Sequence, residues 1–275
     1  DGSFLACAAG TAYAALRKLE AVPGAATCAV VGLGPVGLAA ALLARAMGWK
    51  VIGLDRIAAR RSYAEAQGIT TVAPPADDGG GQAVAPGRSN SGAAQQVDAA
   101  TEGVGAPGTQ GVPTGSTAGP RAEADVDCGA SSVPTARVES GPGALTEAVR
   151  AATGGADPGR VFDASGSEGG LAAALEVVGR GGRVVTVGRG MWPLRFAPQV
   201  NVADLIRKQA QVMGSWVLPV HYYYDLVDLM VATGTSFAPL DAGRFALDDA
   251  PRAFAVADSP ATLGKVSLVW PDADG

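Results

Sequence analysis

The chain has 275 residues and a net charge of −5, with a pI near 4.9. That length allows one large domain or two ordinary ones, and the acidic balance argues against a nucleic-acid partner, which needs a basic face. No apolar run reaches the length of a membrane span and the first residues lack a secretion-signal pattern, so no membrane partner is expected.

Three cysteines, Cys7, Cys28 and Cys128, are widely spaced and odd in number. That fits a reducing compartment better than a disulfide framework, and a cytoplasmic location is expected. The segment from Thr11 to Glu20 reads as a helix with Ala15, Leu16 and Leu19 on one side and Thr11 as a cap at its start. Pro23-Gly24 then breaks the chain. The stretch that follows, Thr27-Cys-Ala-Val-Val-Gly-Leu-Gly-Pro-Val-Gly37, is the most informative in the sequence. A β-branched run leads into the triplet Gly32, Gly34, Gly37. An alanine-rich helical segment follows (Leu38, Leu42, Leu43, Met47), and a second strand, Val51–Leu54, ends in Asp55. Strand, triplet, helix and acid come in the order of a dinucleotide-binding unit.

Each part of that unit has a physical task. Gly32 allows a tight turn, Gly34 lets backbone approach a pyrophosphate, and Gly37 lets helix and strand pack closely. The helix start, with Pro35 and Val36, offers N–H groups and a partial positive charge to phosphate. Asp55 can accept hydrogen bonds from an adenosine ribose and repel a 2′-phosphate, which favours NAD. Arg56, Arg60 and Arg61 beside it keep NADP open, and Arg56 is counted with the cofactor-binding residues.

From about Pro74 to Pro142 the pattern stops. No Leu, Ile, Met or aromatic residue occurs between Thr70 and Ala144. Such a stretch cannot bury enough apolar surface to offset the entropy of ordering it, and 74–142 reads as a low-complexity, disordered insertion. Native proteolysis is expected to cut between about Ala76 and Gly141, and deleting the segment should leave the melting temperature unchanged.

Beyond it the alternation resumes: a helix at Leu145–Ala152, a strand at Arg160–Ala164, a helix at Leu171–Val178, a strand at Arg183–Val187, a strand at Gln211–Trp216 and a helix at Tyr222–Ala232. The tail reads as a strand from Phe245, a helix at Asp249–Val256 and a strand at Val266–Trp270. Alternating strands and helices predict an α/β doubly wound parallel sheet, a Rossmann architecture. In such a sheet, ligands meet the carboxyl ends of the strands. That points to Ala164, Ser165 and Gly166 on the adenosine side, and to Val187, Gly188 and Arg189 on the nicotinamide side. Met191-Trp192 can border a pocket or pack under a loop. His221 stands at a helix start, where a surface or capping role suits it better than catalysis. Tyr13 with Arg17 is not the Tyr-x-x-x-Lys pair of short-chain dehydrogenases.

Several motifs in this order resemble the zinc-dependent medium-chain alcohol and polyol dehydrogenases: Cys7-Ala-Ala-Gly-Thr11-Ala-Tyr13, Val22-Pro-Gly24, the glycine triplet, Phe162-Asp-Ala-Ser-Gly166, Gly181-Gly-Arg-Val-Val-Thr-Val-Gly188, Ile206-Arg-Lys-Gln209, Gly214-Ser-Trp216 and Asp249-Ala-Pro-Arg-Ala-Phe254 through Gly264-Lys-Val266. The resemblance covers nearly the whole chain outside the insertion. It implies a nucleotide-binding domain at 1–240 and a C-terminal return segment of a catalytic domain at 241–275. It also implies an alcohol or polyol substrate, NAD or NADP, a catalytic zinc in the intact family enzyme, and a homodimer or tetramer. Cys7 matches the family's third zinc ligand, Thr11 a catalytic position near the nicotinamide, and Lys265 a basic position that reaches the pyrophosphate.

In that family a GroES-like catalytic domain carries the other two zinc ligands, and this chain is expected to lack it. A catalytic zinc needs three protein ligands. The single histidine lies far from Cys7, and no cysteine pair has ligand spacing. Zinc is therefore expected to be absent from this chain, with Cys7 a free thiol. A zinc-free reductase of the same superfamily and a non-catalytic NAD-binding or dimerisation module stay open beside the dehydrogenase reading.

Overall fold

The computed structural model describes residues 2–22, 26–74, 143–187, 200–259 and 262–270. The expectations for the insertion from 75 onward to 142, and those for Pro23, Gly24, Gly188, Arg189, Met191 and Trp192, lie outside the described residues.

The first helix begins earlier than the sequence predicts. Gly2–Phe4 (α1) runs into a π-helical segment, Leu5–Ala9, and then into α2, Gly10–Leu19. Thr11 is therefore a residue inside a helix rather than its cap; Ala9, ahead of α2, is itself helical and makes no side-chain cap. The glycine hides this continuity. A Cβ on Gly10 would stand 2.7 Å from Leu5 O and 2.8 Å from Leu218 Cδ2. A residue that lowers helix propensity is used here to let Leu218 pack on the helix.

The remaining elements follow in order: β1 (Thr27–Val31), α3 (Pro35–Ala46), β2 (Lys50–Leu54), α4 (Ala58–Ala66), β3 (Thr70–Val72), α5 (Ala144–Thr153), β4 (Arg160–Asp163), α6 (Glu168–Val177), β5 (Arg183–Thr186), α7 (Val202–Lys208), β6 (Gln211–Gly214) and α8 (Tyr222–Thr233). β1 through β6 form one sheet in the order β3-β2-β1-β4-β5-β6, with every pair parallel.

Side chains alternate across that sheet as its pleat requires. Cys28 and Val30 of β1, Phe162 of β4 and Val185 of β5 join a core with α2, α3 and α8. Ala29, Val31, Val161 and Val184 join a second core with α5 and α6 on the opposite face. Burial on both faces explains why β1 is a largely apolar run and not an alternating pattern, and why the two charged ends of β4, Arg160 and Asp163, are buried as well. The architecture is the doubly wound α/β fold of Rossmann type. Its strand order reverses between β1 and β4, which opens a crevice at their carboxyl ends.

Arg160, buried at the start of β4, ties the end of the first helix to the sheet. Its Nε donates to Leu19 O at 3.0 Å and its Nη2 to Val22 O at 3.1 Å, while its guanidinium lies 4.4 Å from the Trp49 ring centroid. Burial pushes the neighbouring Cys28 thiol up to about 12, against the pull of Arg160.

After α8 the chain forms a second, two-stranded parallel sheet. β7 (Asp241–Ala246) and β8 (Lys265–Val269) are joined through α9 (Ala250–Ala257). Both sheets lie in one compact unit built from 1–78 and 139–275. Phe4 stacks on Phe237 with ring centroids 5.4 Å apart, which links α1 to the segment ahead of β7.

Among the described residues, β3 and β6 are the edges of the large sheet, and β6 is mostly exposed. The strand ends at Gly214, short of the expected Trp216. Beyond it Val217 adopts φ 46°, a left-handed conformation that a β-branched residue rarely takes. Leu218 turns inward onto Gly10, while Trp216 and Val220 remain exposed.

Candidate functional site

The glycine triplet forms the turn from β1 into α3, and the protein's own packing requires two of its three glycines. Gly32 has φ +84°, and a Cβ there would come within 3.0 Å of the Ser165 backbone. At Gly37 a Cβ would sit 1.7 Å from Gly32 O, so α3 can approach the turn only without a side chain. Gly34 differs. Its φ of −71° suits any residue, and a Cβ would meet only Arg60 Nη1, at 3.9 Å. Nothing in the protein's own packing demands glycine there, so the space over Gly34 is open to a ligand.

Gly34 is the N-cap of α3 and Pro35 its first residue; no side chain caps this end. Gly34 O accepts from Leu38 N–H at 2.8 Å. The N–H groups of Val36 and Gly37 belong to the first turn, whose donors have no partner within the helix. No acidic residue lies in that turn. The end of α3 therefore favours an anion.

Asp55, just past β2, is 7% exposed. Its Oδ2 accepts from Leu33 N–H at 2.7 Å and its Oδ1 from Ile57 N–H at 2.7 Å. The middle residue of the glycine turn is thus tied directly to the acid. Gly32 N–H adds a bond to Leu54 O at 2.8 Å. Each carboxylate oxygen keeps a second lone pair for a hydroxyl donor.

The three arginines named with Asp55 take different places. Arg60 Nη1 stands 3.7 Å from Asp55 Oδ2, beside Gly34. Arg61 turns back to hold the loop, donating from Nη1 to Asp55 O at 2.8 Å and to Arg56 O at 2.9 Å. Arg56 is exposed.

The other wall of the crevice comes from the end of β4, and its organiser was not among the residues singled out from sequence. Asp163 is 1% exposed. Its Oδ1 accepts from Ser165 N–H at 2.9 Å and Ser165 Oγ–H at 2.7 Å, and its Oδ2 from Thr186 Oγ–H at 2.9 Å. Ser167 follows as the N-cap of α6, accepting from Gly170 N–H at 3.1 Å. An acid closing a fully buried strand was the available signal, since a buried carboxylate needs partners. Ala164, Ser165 and Gly166 are half-buried, with the backbones of Ala164 and Ser165 against Gly32, and Val187 follows β5 directly.

Cys7, Thr11 and Lys265 are carried on other elements. Cys7 is an exposed free thiol in the π-helical segment, and Thr11 is half-buried one turn later. Lys265 Nζ lies 5.6 Å from the Phe4 ring centroid at the start of β8. His221 is exposed at the N-cap position of α8 and makes no side-chain cap there. Among the described residues, no group of three or more His, Cys, Asp or Glu side chains is arranged to hold a metal ion. No helix among them is long and apolar enough to cross a membrane.

Residues 122–232 match the zinc-binding dehydrogenase family. An uncharacterized zinc-type alcohol dehydrogenase-like protein of Escherichia coli (strain K12), YphC, is 28% identical over 99% of this chain and 57% of its own length. An alcohol dehydrogenase of Thermotoga maritima superposes with a TM-score of 0.64 at 20% identity, over 96% of this chain and 55% of that one. A protein of Sinorhizobium meliloti 1021 solved with NADP bound gives 0.61 at 19% identity, over 98% of this chain and 58% of that one. The chain spans a little over half the length of the relatives it matches. Match and fold agree: the chain is similar to zinc-type alcohol dehydrogenases over residues 122–232, and it shares its fold with solved structures of that kind.

Proposed function

We propose that this chain binds a nicotinamide dinucleotide at the carboxyl ends of β1, β2 and β4, with NAD preferred over NADP. The observation that carries the reading is the bond from Leu33 N–H to Asp55 Oδ2, which fixes the glycine turn and the acid as one unit. Val36 and Gly37 N–H would meet the pyrophosphate, and the free lone pairs of Asp55 the adenosine ribose. The backbones of Ala164, Ser165 and Gly166 would line the adenosine side, and Val187, Gly188 and Arg189 the nicotinamide side. Thr11 and Lys265 are assigned roles at the nicotinamide and the pyrophosphate on family resemblance alone.

In an intact enzyme of the family it resembles, the bound nicotinamide would supply hydride exchange with a secondary alcohol or polyol, and this chain's own part is to hold and orient it. A catalytic zinc does not fit the described residues: of the ligand set that the family implies, Cys7 alone is among them. We therefore expect this chain to bind NAD without oxidising alcohols. NAD titration, a zinc assay on metal-loaded protein and an NADH-production assay over secondary alcohols and polyols test this together. Stoichiometric zinc, or NADH above background, would show that this chain carries ligands beyond Cys7 and can turn over.

Replacing Asp55 with Ser is expected to weaken NAD binding roughly ten-fold or more, the usual loss for a hydrogen bond to a charged group. The same change should favour NADP, because Arg60 then faces the 2′-phosphate without a competing carboxylate. Isothermal titration of both cofactors decides it. Tighter NADP binding by the unaltered protein would reverse the preference.

We further propose that the chain self-associates through the open edge of β6, as a dimer or as a tetramer built from such dimers. The reading is supported by an exposed strand edge bordered by Trp216, Val217 and Val220. Val217→Lys is expected to give monomers. Lysine tolerates a left-handed φ better than valine, so loss of association would not reflect misfolding. Light scattering at micromolar concentration is the check, and a monomeric unaltered protein would remove the idea.

A further inference from the structure

Main-chain groups alternate in direction along β6. Gln211 N–H donates to Gly182 O and Ser215 N–H to Thr186 O, both at 3.0 Å, so positions 211, 213 and 215 face β5. Val212 and Gly214 therefore turn their N–H and C=O groups outward, which leaves four main-chain groups on the edge. One of them already has a partner. Lys18 Nζ reaches from the end of α2 and donates to Gly214 O at 2.7 Å. The carbonyl of Lys18 accepts in turn from Arg183 Nη1 at 3.2 Å, which holds the end of α2 over the start of β5.

We propose that Lys18 guards this edge, competing for the Gly214 carbonyl so that β6 pairs with β6 of a second copy less tightly while the lysine holds it. The inference rests on the self-association reading and deepens it. In a two-fold pairing centred on Met213, Val212 of each copy faces Gly214 of the other, and the outward groups make four bonds. Two of the four use a Gly214 carbonyl, the atom Lys18 holds. A lysine at a strand edge is a known way to discourage edge pairing. The apolar residues beside it pull the other way, since Val212, Trp216 and Val217 are 41%, 64% and 52% exposed. A second copy is the occupant because a two-fold axis supplies each outward donor with an acceptor from the same strand.

Sedimentation equilibrium on the full chain tests the proposal, comparing the unaltered protein with Lys18→Met, Val212→Pro and the double variant. Methionine keeps the length and helix propensity of lysine but cannot donate. The dimer dissociation constant should tighten about ten-fold, the worth of recovering two main-chain bonds. Val212→Pro removes an outward donor without touching the bonds to β5, and should loosen association in both backgrounds. Lys18→Arg should behave like the unaltered protein. A thermal melt checks that the proline variant folds; if it melts early, Val217→Lys takes its place.

If Val212→Pro weakens association while Lys18→Met leaves it unchanged or weaker, the guard is wrong and the edge reading survives. Association indifferent to Val212→Pro places the contact elsewhere, and both fall. Monomers throughout, Lys18→Met included, also overturn both.

Discussion

Gly37→Val is expected to abolish dinucleotide binding and lower the thermal midpoint by roughly 6–12 °C. A Cβ at this position would stand 1.7 Å from Gly32 O and 2.9 Å from Gly32 C, both main-chain atoms of the turn that it follows. Backbone cannot yield as a flexible side chain would. Either α3 moves off β1 or the turn opens, and overpacking of this kind costs roughly 3 kcal/mol. At about 2–4 °C per kcal/mol for a chain of this size, that gives the expected shift. Gly34→Ala separates folding from binding. Its Cβ would meet only Arg60 Nη1, at 3.9 Å, so the melt should stay within about a degree while NAD affinity falls at least ten-fold. Scanning calorimetry with and without NAD reads both effects. An alanine at 34 that binds NAD normally would show that the space over Gly34 is not where phosphate approaches.

The second large effect is expected at Asp163. Alanine there would leave Ser165 N–H, Ser165 Oγ–H and Thr186 Oγ–H without their acceptor where the carboxylate is 1% exposed. Unsatisfied buried donors cost about 1–3 kcal/mol each, and relaxation toward water will recover part, so a loss of roughly 3 kcal/mol is expected. Binding should suffer too, because the Ser165 backbone lies against Gly32 and a shifted β4 loop disturbs the glycine turn. Asp163→Asn keeps one acceptor oxygen and should fall between the two. Thermal melts with NAD titration measure this, and an alanine variant as stable as the parent would mean that water replaces the carboxylate at no cost.

The difference between Gly37 and Asp163 shows what was legible in the sequence. The glycine turn is local: strand, turn, helix and acid lie on one continuous stretch, and burial of β1 on both faces leaves an unbroken apolar run. The Asp163 cluster joins the end of β4 to the end of β5, and only the parallel pairing brings Thr186 beside it. Arg60 was visible as one of three nearby arginines, but which one faces Asp55 depends on the turn into α4. That helix and α7 gave weak signals for the same reason. Ala64 is the one buried residue of α4, and α7 buries none. The start of the first helix was obscured by Gly10, a glycine kept for Leu218, on a distant segment.

Cys28 offers a clock for the opening of the central sheet. Burial pushes its thiol up to about 12, so the reactive thiolate is scarce while the sheet stays closed. It also lies fully buried in β1, whereas Cys7 is exposed. In a Cys128→Ser variant, a thiol reagent should therefore label in two separated phases. The fast phase belongs to Cys7. The slow phase waits for strands to part, so its rate, followed with and without NAD, would report how strongly a ligand at the far end of β1 holds the sheet closed.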